Sequence, residues 1–307
     1  YGRDFFIAAT AAVLPWIFCA IYFWHILGDT FKESLLLGGF SAPTSAGVLL
    51  MMLASAGLAK TWVFRRARML AILDDFVAII LMIPIQMMIE GVSQRMFVVF
   101  IILAALLFFT YRYHHRLHIP MTTKAMLVYA IMLWALVGSC EKIFFIHLGV
   151  VLPAFCLGSA VRHAQQESLS VHEARVEPFK LDHILKGIFM LGIGLSLPHI
   201  QFSDIGVGIL IFHVCMVTIF INAGKCFVIM FYRKEASLRE RIALGIAMFP
   251  RAEVGAGILL MSLAQGTRTI STSVAGITLG VNLLMTGLFI MAVKAFVKKT
   301  LPKVDSE

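Results

Sequence analysis

Charge is what this chain has least of. Only 14% of its 307 residues are charged and 60% are hydrophobic, whereas about a quarter of an ordinary soluble domain is charged. No polar stretch between the apolar runs is long enough to fold as a soluble domain. These shortages exclude a water-soluble enzyme or binding module and leave a polytopic helical membrane protein, with the lipid bilayer as its main surroundings. Paired cysteines are also missing. Cys19, Cys140, Cys156, Cys215 and Cys226 form no CxxC pair and mostly stand in apolar runs. They read as small core residues, so neither a disulfide framework nor a zinc site is indicated and no cofactor is expected. The first residue is Tyr1, with no signal-peptide pattern behind it, which reads as a chain lacking its natural start.

What is present is a series of apolar runs long enough to cross a bilayer, which takes about 20 residues each. Ten spans are predicted: 5–27, 34–57, 69–89, 96–111, 122–140, 143–162, 183–198, 204–232, 242–265 and 270–296. The net charge of +9 then has an explanation other than nucleic acid, because most of the 26 Lys and Arg fall in alternate loops. The opposite loops hold Lys32, Arg95, Lys142 and Arg268. By the positive-inside rule the basic side is cytoplasmic, as are both ends of the chain.

Two spans are interrupted. The second contains Gly38-Gly39-Phe40-Ser41-Ala42-Pro43-Thr44-Ser45, and the ninth contains Phe249-Pro250-Arg251-Ala252-Glu253. Proline removes a backbone hydrogen bond and clashes with the preceding turn. In lipid, the freed groups survive only where protein or a cavity satisfies them. A plain proline kink explains one such break. Two breaks at corresponding places in two halves point to a transport site. They lie in the middle helices of two triplets, spans 1–3 and 8–10, which start on opposite sides of the membrane. The predicted fold is therefore an all-α membrane protein of about ten helices, an inverted repeat with two discontinuous crossing helices. Its parts are residues 1–90 with the first break, linking and scaffold helices over 91–202, the second triplet over 203–298, and a cytoplasmic tail over 299–307. No residue identity between the triplets is evident, so the repeat rests on topology and break position.

Ionisable residues at bilayer depth are costly and are functional candidates by default. Here they are Asp74, Asp75, Lys225, Arg251 and Glu253, with the hydroxyls of Thr44 and Ser45 beside the first break. Buried charges need partners. Asp74 and Asp75 differ by about 100° around a helix, so one of them can face Lys225 while the other faces an open path. Arg251 and Glu253 read first as a structural ion pair closing the second break. Asn222 reads as a helix–helix hydrogen bonder. His114, His115 and His118 read as part of a solvated basic loop rather than as a metal site or pH sensor.

The ordered set of motifs resembles the bacterial sodium/proton antiporters of the cation/proton antiporter superfamily, in the branch with paired aspartates. The resemblance is carried by Pro43-Thr44-Ser45-Ala46-Gly47, by Ile72-Leu73-Asp74-Asp75-Phe76, by Phe189-Met190-Leu191-Gly192-Ile193-Gly194-Leu195 and by Phe249-Pro250-Arg251-Ala252-Glu253-Val254, with Lys225 ahead of the last. Ala252 replaces an expected glycine. The segment Leu148–Gly158 fits loosely. The resemblance implies that Asp75 is the principal sodium- and proton-binding carboxylate, that Asp74 pairs with Lys225, and that the two breaks cross beside them. It also implies two or three further helices ahead of residue 1, a homodimer, and a bacterial inner membrane. The expected activity is exchange of protons for Na+, with K+ or Li+ as alternatives. Potassium/proton exchange or potassium efflux is the nearest rival, and a sodium-coupled organic-solute symporter is the next. An intramembrane aspartyl protease needs two carboxylates facing across one water, which neighbours on one helix do not provide.

Overall fold

A computed structural model of the chain describes residues 2–90 and 206–298, with residues 128–135, 138–139 and a few other helical residues between them. The predicted spans 96–111, 143–162 and 183–198 fall mostly outside the described residues, as do the histidine loop and the Leu148–Gly158 segment, while the described residues of 122–140 are helical. Residues 1–85 and 181–307 belong to one compact unit and 86–180 to another. All that follows concerns the first.

The described residues form eight α-helices and no strand: α1 (Gly2–His25), α2 (Phe31–Gly38), α3 (Ala46–Ser55), α4 (Trp62–Glu90), α5 (Val207–Cys226), α6 (Leu238–Ala247), α7 (Glu253–Ala264) and α8 (Thr269–Lys298). Short 3-10 turns follow α2 (Gly39–Ser41) and α5 (Phe227–Met230). Among the described residues, four stretches are long and apolar enough to cross a membrane: Gly2–His25, Phe31–Ser55, Val207–Met230 and Thr269–Val297. Helix α4 is also long, but it carries Arg65, Arg66 and Arg68 in its first turns and Asp74 and Asp75 in its middle. It begins ahead of the predicted span at 69. Val63, Ala67, Leu70 and Ala71 bury one face at helical spacing, and the arginines between them do not disturb it.

Each half reads helix, broken helix, helix, and the two halves run in opposite directions. One apolar core shows this. It gathers Ile7, Ala8 and Ala11 from the start of α1, Leu49 and Leu53 from α3, and Val63, Ala67 and Leu70 from the start of α4. To these it adds Val228 and Tyr232 beyond the end of α5, Ala243, Leu244 and Ala247 from α6, and Ile290, Val293 and Val297 from the end of α8. So α1 starts where α5 ends, and α4 starts where α8 ends. The all-α membrane architecture with an inverted pair of triplets is thus present in the described residues.

The two triplets also share a residue register that the sequence reading missed. One constant shift in numbering carries Thr30 onto Ser237, Glu33 onto Glu240, Gly38 onto Gly245, Pro43 onto Pro250, and the start of α4 onto the start of α8. The first two pairs are capping boxes. Thr30 and Ser237 each accept a bond from the backbone N–H of the glutamate three residues on, and that glutamate returns a bond to the cap. Each box satisfies orphan donors at the mouth of a broken helix. Threonine and serine do this equally well, so the likeness survives as chemistry where identity has been lost.

Close approach of backbones holds the bundle at two glycines. A Cβ on Gly224 of α5 would stand 2.6 Å from the backbone N of Pro15 on α1. A Cβ on Gly255 of α7 would stand 2.7 Å from the Phe40 carbonyl oxygen. Glycine is the residue that admits such contacts. The first fixes α1 against the turn of α5 that carries Lys225.

Candidate functional site

Where proline interrupts a helix, backbone groups lose their partners, so the chemistry of the site begins with where those groups go. The first break runs through Ala42, Pro43 and Thr44 to the cap Ser45, whose hydroxyl accepts from the Val48 N–H. The second runs from Met248 to Ala252, and α7 starts at Glu253. The breaks cross and bond to each other. The Ser45 N–H donates to the Pro250 carbonyl at 2.9 Å. The Arg251 Nε donates to the Ser41 carbonyl at 2.9 Å and its Nη1 to the Phe249 carbonyl at 2.7 Å.

Four helix ends meet here, two of each sign. The ends of α2 and α6 expose carbonyls and carry the negative pole of their helices, while the starts of α3 and α7 carry the positive pole. The buried cations are placed accordingly. Lys225 Nζ donates to the Ala42 carbonyl at 2.7 Å, and Arg251 serves the Ser41 and Phe249 carbonyls. Asp74 sits at the positive start of α3. Its Oδ1 accepts from the Thr44 N–H at 3.3 Å and its Oδ2 from the Thr44 hydroxyl at 2.8 Å. That hydroxyl also lies 3.2 Å from the Met248 carbonyl, and its one proton serves the carboxylate while Asp74 is charged.

Asp74 Oδ2 and Lys225 Nζ form an ion pair with both side chains fully buried. A buried pair of this kind stabilises only when its remaining lone pairs and protons are satisfied. Thr44 does this for the aspartate and Ala42 for the lysine, and both belong to the first break. Asp74, Lys225, Thr44, Arg251 and the first break are therefore one hydrogen-bonded constellation. Asp75, the next residue of α4, is half-buried rather than buried, and a helix turns it about 100° away from its neighbour.

The structure also shows what the sequence reading of Arg251 lacked. The guanidinium, fully buried, spends its donors on the carbonyls of both breaks and lies 3.5 Å from the Asn222 amide oxygen on α5. The Glu253 side chain is not among those described. The arginine thus closes the crossing through backbone oxygens, a role no charge count reveals. Asn222 thus reaches from α5 to the second break rather than to a neighbouring helix. Gly224, whose close approach to Pro15 seats the turn carrying Lys225, was not singled out in the sequence. Its signal was a glycine next to a buried charge, with a proline at mid-span in another helix.

The described residues hold no group of three or more His, Cys, Asp or Glu side chains able to ligate a metal. What the constellation offers is different: one aspartate tied to a lysine, a second beside it, and hydroxyl and carbonyl oxygens of two broken helices. No curated protein matches the chain. The family described as sodium/hydrogen exchanger, transmembrane, matches residues 3–299. That is nearly the whole length, and it includes every residue of the crossing; the chain belongs to the sodium/hydrogen exchanger family of cation/proton antiporters.

Proposed function

We propose that the chain exchanges Na+ for protons across a membrane by competition of the two for Asp75, with Asp74 and Lys225 as a coupled partner pair. The observation that carries this reading is the buried Asp74–Lys225 pair at the crossing, with a second carboxylate next to it in sequence and half-buried. Asp75 offers a second carboxylate beside that pair. A proton neutralises it at high proton activity. At low proton activity a hard cation replaces the proton, with oxygen ligands from carboxylate, hydroxyl and backbone. Thr44 and Ser45 stand at the break to supply hydroxyls. Because ion and proton use one carboxylate, exchange follows from alternating access without a further coupling device.

The Asp74–Lys225 pair adds a second proton to the cycle in this reading. Cation entry draws Asp74 away from Lys225, and the released ammonium gives up its proton and regains it when the pair re-forms. Two protons per sodium move net charge, and each charge moved through 100 mV is worth about 2.3 kcal/mol. Such a carrier runs on voltage as well as on a pH gradient. Sodium is proposed over potassium because the family description names it. The basic loops support a cytoplasmic location for both chain ends, and we assign the protein to a bacterial inner membrane as a homodimer.

The test is proton flux in liposomes under voltage clamp, with sodium, lithium and potassium compared. Asp75→Asn is expected to abolish exchange with every cation. Wild-type sodium-driven proton flux in that variant would overturn the assignment of Asp75. Flux that responds to potassium alone would replace sodium with potassium as the substrate.

A further inference from the structure

The far side of the same two helices carries a second cluster that the exchange reaction does not use. Tyr232 lies just beyond the 3-10 turn that follows α5 and is fully buried. Its backbone is left-handed, with φ at 54°, and among the described residues it is the one non-glycine with positive φ. Glycine would take this conformation at no steric cost. A tyrosine here means that the side chain is held firmly enough to impose it.

What holds the side chain is drawn from both of the other helices in the site. The Tyr232 hydroxyl donates to Asp4 Oδ1 on α1 at 2.5 Å. The guanidinium groups of Arg3 on α1 and Arg66 on α4 lie over its ring, 5.3 and 5.2 Å from the centroid. Trp62, the first residue of α4, meets the ring edge-on at 5.5 Å. Glu235, in the turn that Tyr232 opens, binds Arg66 at 2.8 Å and Arg3 at 2.6 Å. Arg66 also reaches Asp4 at 3.4 Å. The Tyr232 carbonyl accepts the N–H groups of Glu235 and Ala236 and closes the turn.

The spacing gives the cluster a meaning. Arg66 precedes Asp74 on α4 by about two turns, and Tyr232 lies beyond the end of α5 and its 3-10 turn, so both lie to the same side of the ion pair. Helices α4 and α5 are thus tied twice. The inner tie is the Asp74–Lys225 pair, which the proposed cycle breaks and re-forms. The outer tie is the clasp on Tyr232, made of one ring, one phenol and four charged groups. We infer that Tyr232 is a positioning residue: its clasp holds α5 in register with α4 and α1 while the Asp74–Lys225 pair is open, so that Lys225 returns to Asp74 in each cycle. The inference rests on the reading of that pair as one that opens during exchange.

The experiment compares Tyr232→Phe, Asp4→Ala and the double variant with the wild type in proteoliposomes, with Asp75→Asn in the same series. Phenylalanine keeps the ring, its packing on Trp62 and its two guanidinium partners, and loses the bond to Asp4. The expected result is a several-fold fall in kcat at a KM within about twofold of wild type, with unchanged melting temperature. Asp4→Ala removes the acceptor, and the double variant should fall no further than Asp4→Ala alone, since Tyr232→Phe removes the same bond. Charge moved per sodium should also fall, because Lys225 re-pairs less often. Tyr232→Gly suits the left-handed backbone and removes the ring, and a larger loss of kcat is expected. Wild-type kcat in Tyr232→Phe and Tyr232→Gly, with Asp75→Asn inactive, would overturn the positioning role and leave the exchange reading intact. A fall in melting temperature with full turnover per folded molecule would also overturn it, showing Tyr232 to be a fold residue. Activity in Asp75→Asn would instead remove the exchange reading on which the inference rests.

Discussion

The Ser45 N–H bonds to the Pro250 carbonyl at 2.9 Å, so the two broken helices are joined backbone to backbone at the point where each is open. Neither break is therefore a local kink. Each supplies what the other has lost, and Thr44 stands between them, with its hydroxyl 2.8 Å from Asp74 and 3.2 Å from the Met248 carbonyl.

Thr44→Val keeps the β-branched shape and removes the hydroxyl from a charged acceptor. Hydrogen bonds to charged groups contribute about 1.5–3 kcal/mol, so roughly that much should be lost from thermal stability in detergent. Asp74 keeps the Thr44 N–H and Lys225, so the site should persist with weaker cation affinity. Sodium titration of proton flux should show a raised KM. An unchanged KM would mean that the hydroxyl does not bear on the ion.

Gly224→Ala places a methyl group 2.6 Å from the Pro15 nitrogen and 2.8 Å from its Cα. Both obstacles are backbone, so α1 and α5 must separate. Overpacking of this kind costs about 1–3 kcal/mol. Because Lys225 is the next residue, exchange should fall along with stability. Gly280→Ala on α8 is the comparison, since its Cβ would meet nothing within 4 Å, and it should stay within about 0.5 kcal/mol of wild type. Equal melting temperatures for the two variants would refute the close-approach argument.

The parts of this arrangement that were legible in sequence were anomalies of composition. Pro43 and Pro250 interrupt apolar runs, and Asp74, Asp75 and Lys225 lie where charge is expensive, so lipid itself marks them. The parts that were not legible depend on who meets whom. Arg251 read as the partner of Glu253, whose side chain is not among those described; its bonds to the Ser41 and Phe249 carbonyls were not legible, because those carbonyls carry no mark in a sequence. The repeat register was hidden because its identities, Glu33 with Glu240, Gly38 with Gly245 and Pro43 with Pro250, are scattered, and the caps Thr30 and Ser237 make the same bond with different residues. The early start of α4 was hidden by Arg65, Arg66 and Arg68, which hydropathy reads as loop. Tyr232 was not singled out, because a sequence does not report φ.

Lys225→Gln removes the cation from a fully buried aspartate. Breaking one side of a buried pair costs about 3–5 kcal/mol, and Asp74→Asn should cost a similar amount by leaving the lysine alone. The double variant Asp74→Asn/Lys225→Gln should recover much of the loss, a coupling that thermal denaturation of the four proteins would reveal. Melting losses that simply add would contradict the pairing. Transport gives a second readout. If Lys225 carries the second proton, Lys225→Gln should reduce or abolish the exchange current, and an unchanged current would argue against that role.

Asp29 makes the last prediction, on the opposite side of the bundle from Tyr232. It lies in the turn between α1 and α2, its side chain only 1% exposed, 3.7 Å from the half-exposed Arg268 that precedes α8. Arg268 also donates to the Leu27 carbonyl at 2.6 Å, so it closes the end of α1 and faces the carboxylate together. Burial raises the Asp29 carboxyl above its ordinary value of 3.8; the Ser271 hydroxyl and Arg268 pull the other way, and the Glu33 charge adds to the rise. The net shift is upward, so the ionised form is held less favourably in the folded protein than in the unfolded chain. The stability contributed by the proton is therefore fully present below 3.8 and is lost as pH rises through the higher folded value. Asp29→Asn removes this titration. Its melting temperature should equal or exceed that of wild type at neutral pH, and the difference should shrink as pH falls through the window above 3.8, because wild type regains the proton there. A difference that grows on acidification would show that the Arg268 pair, rather than burial, governs this carboxylate.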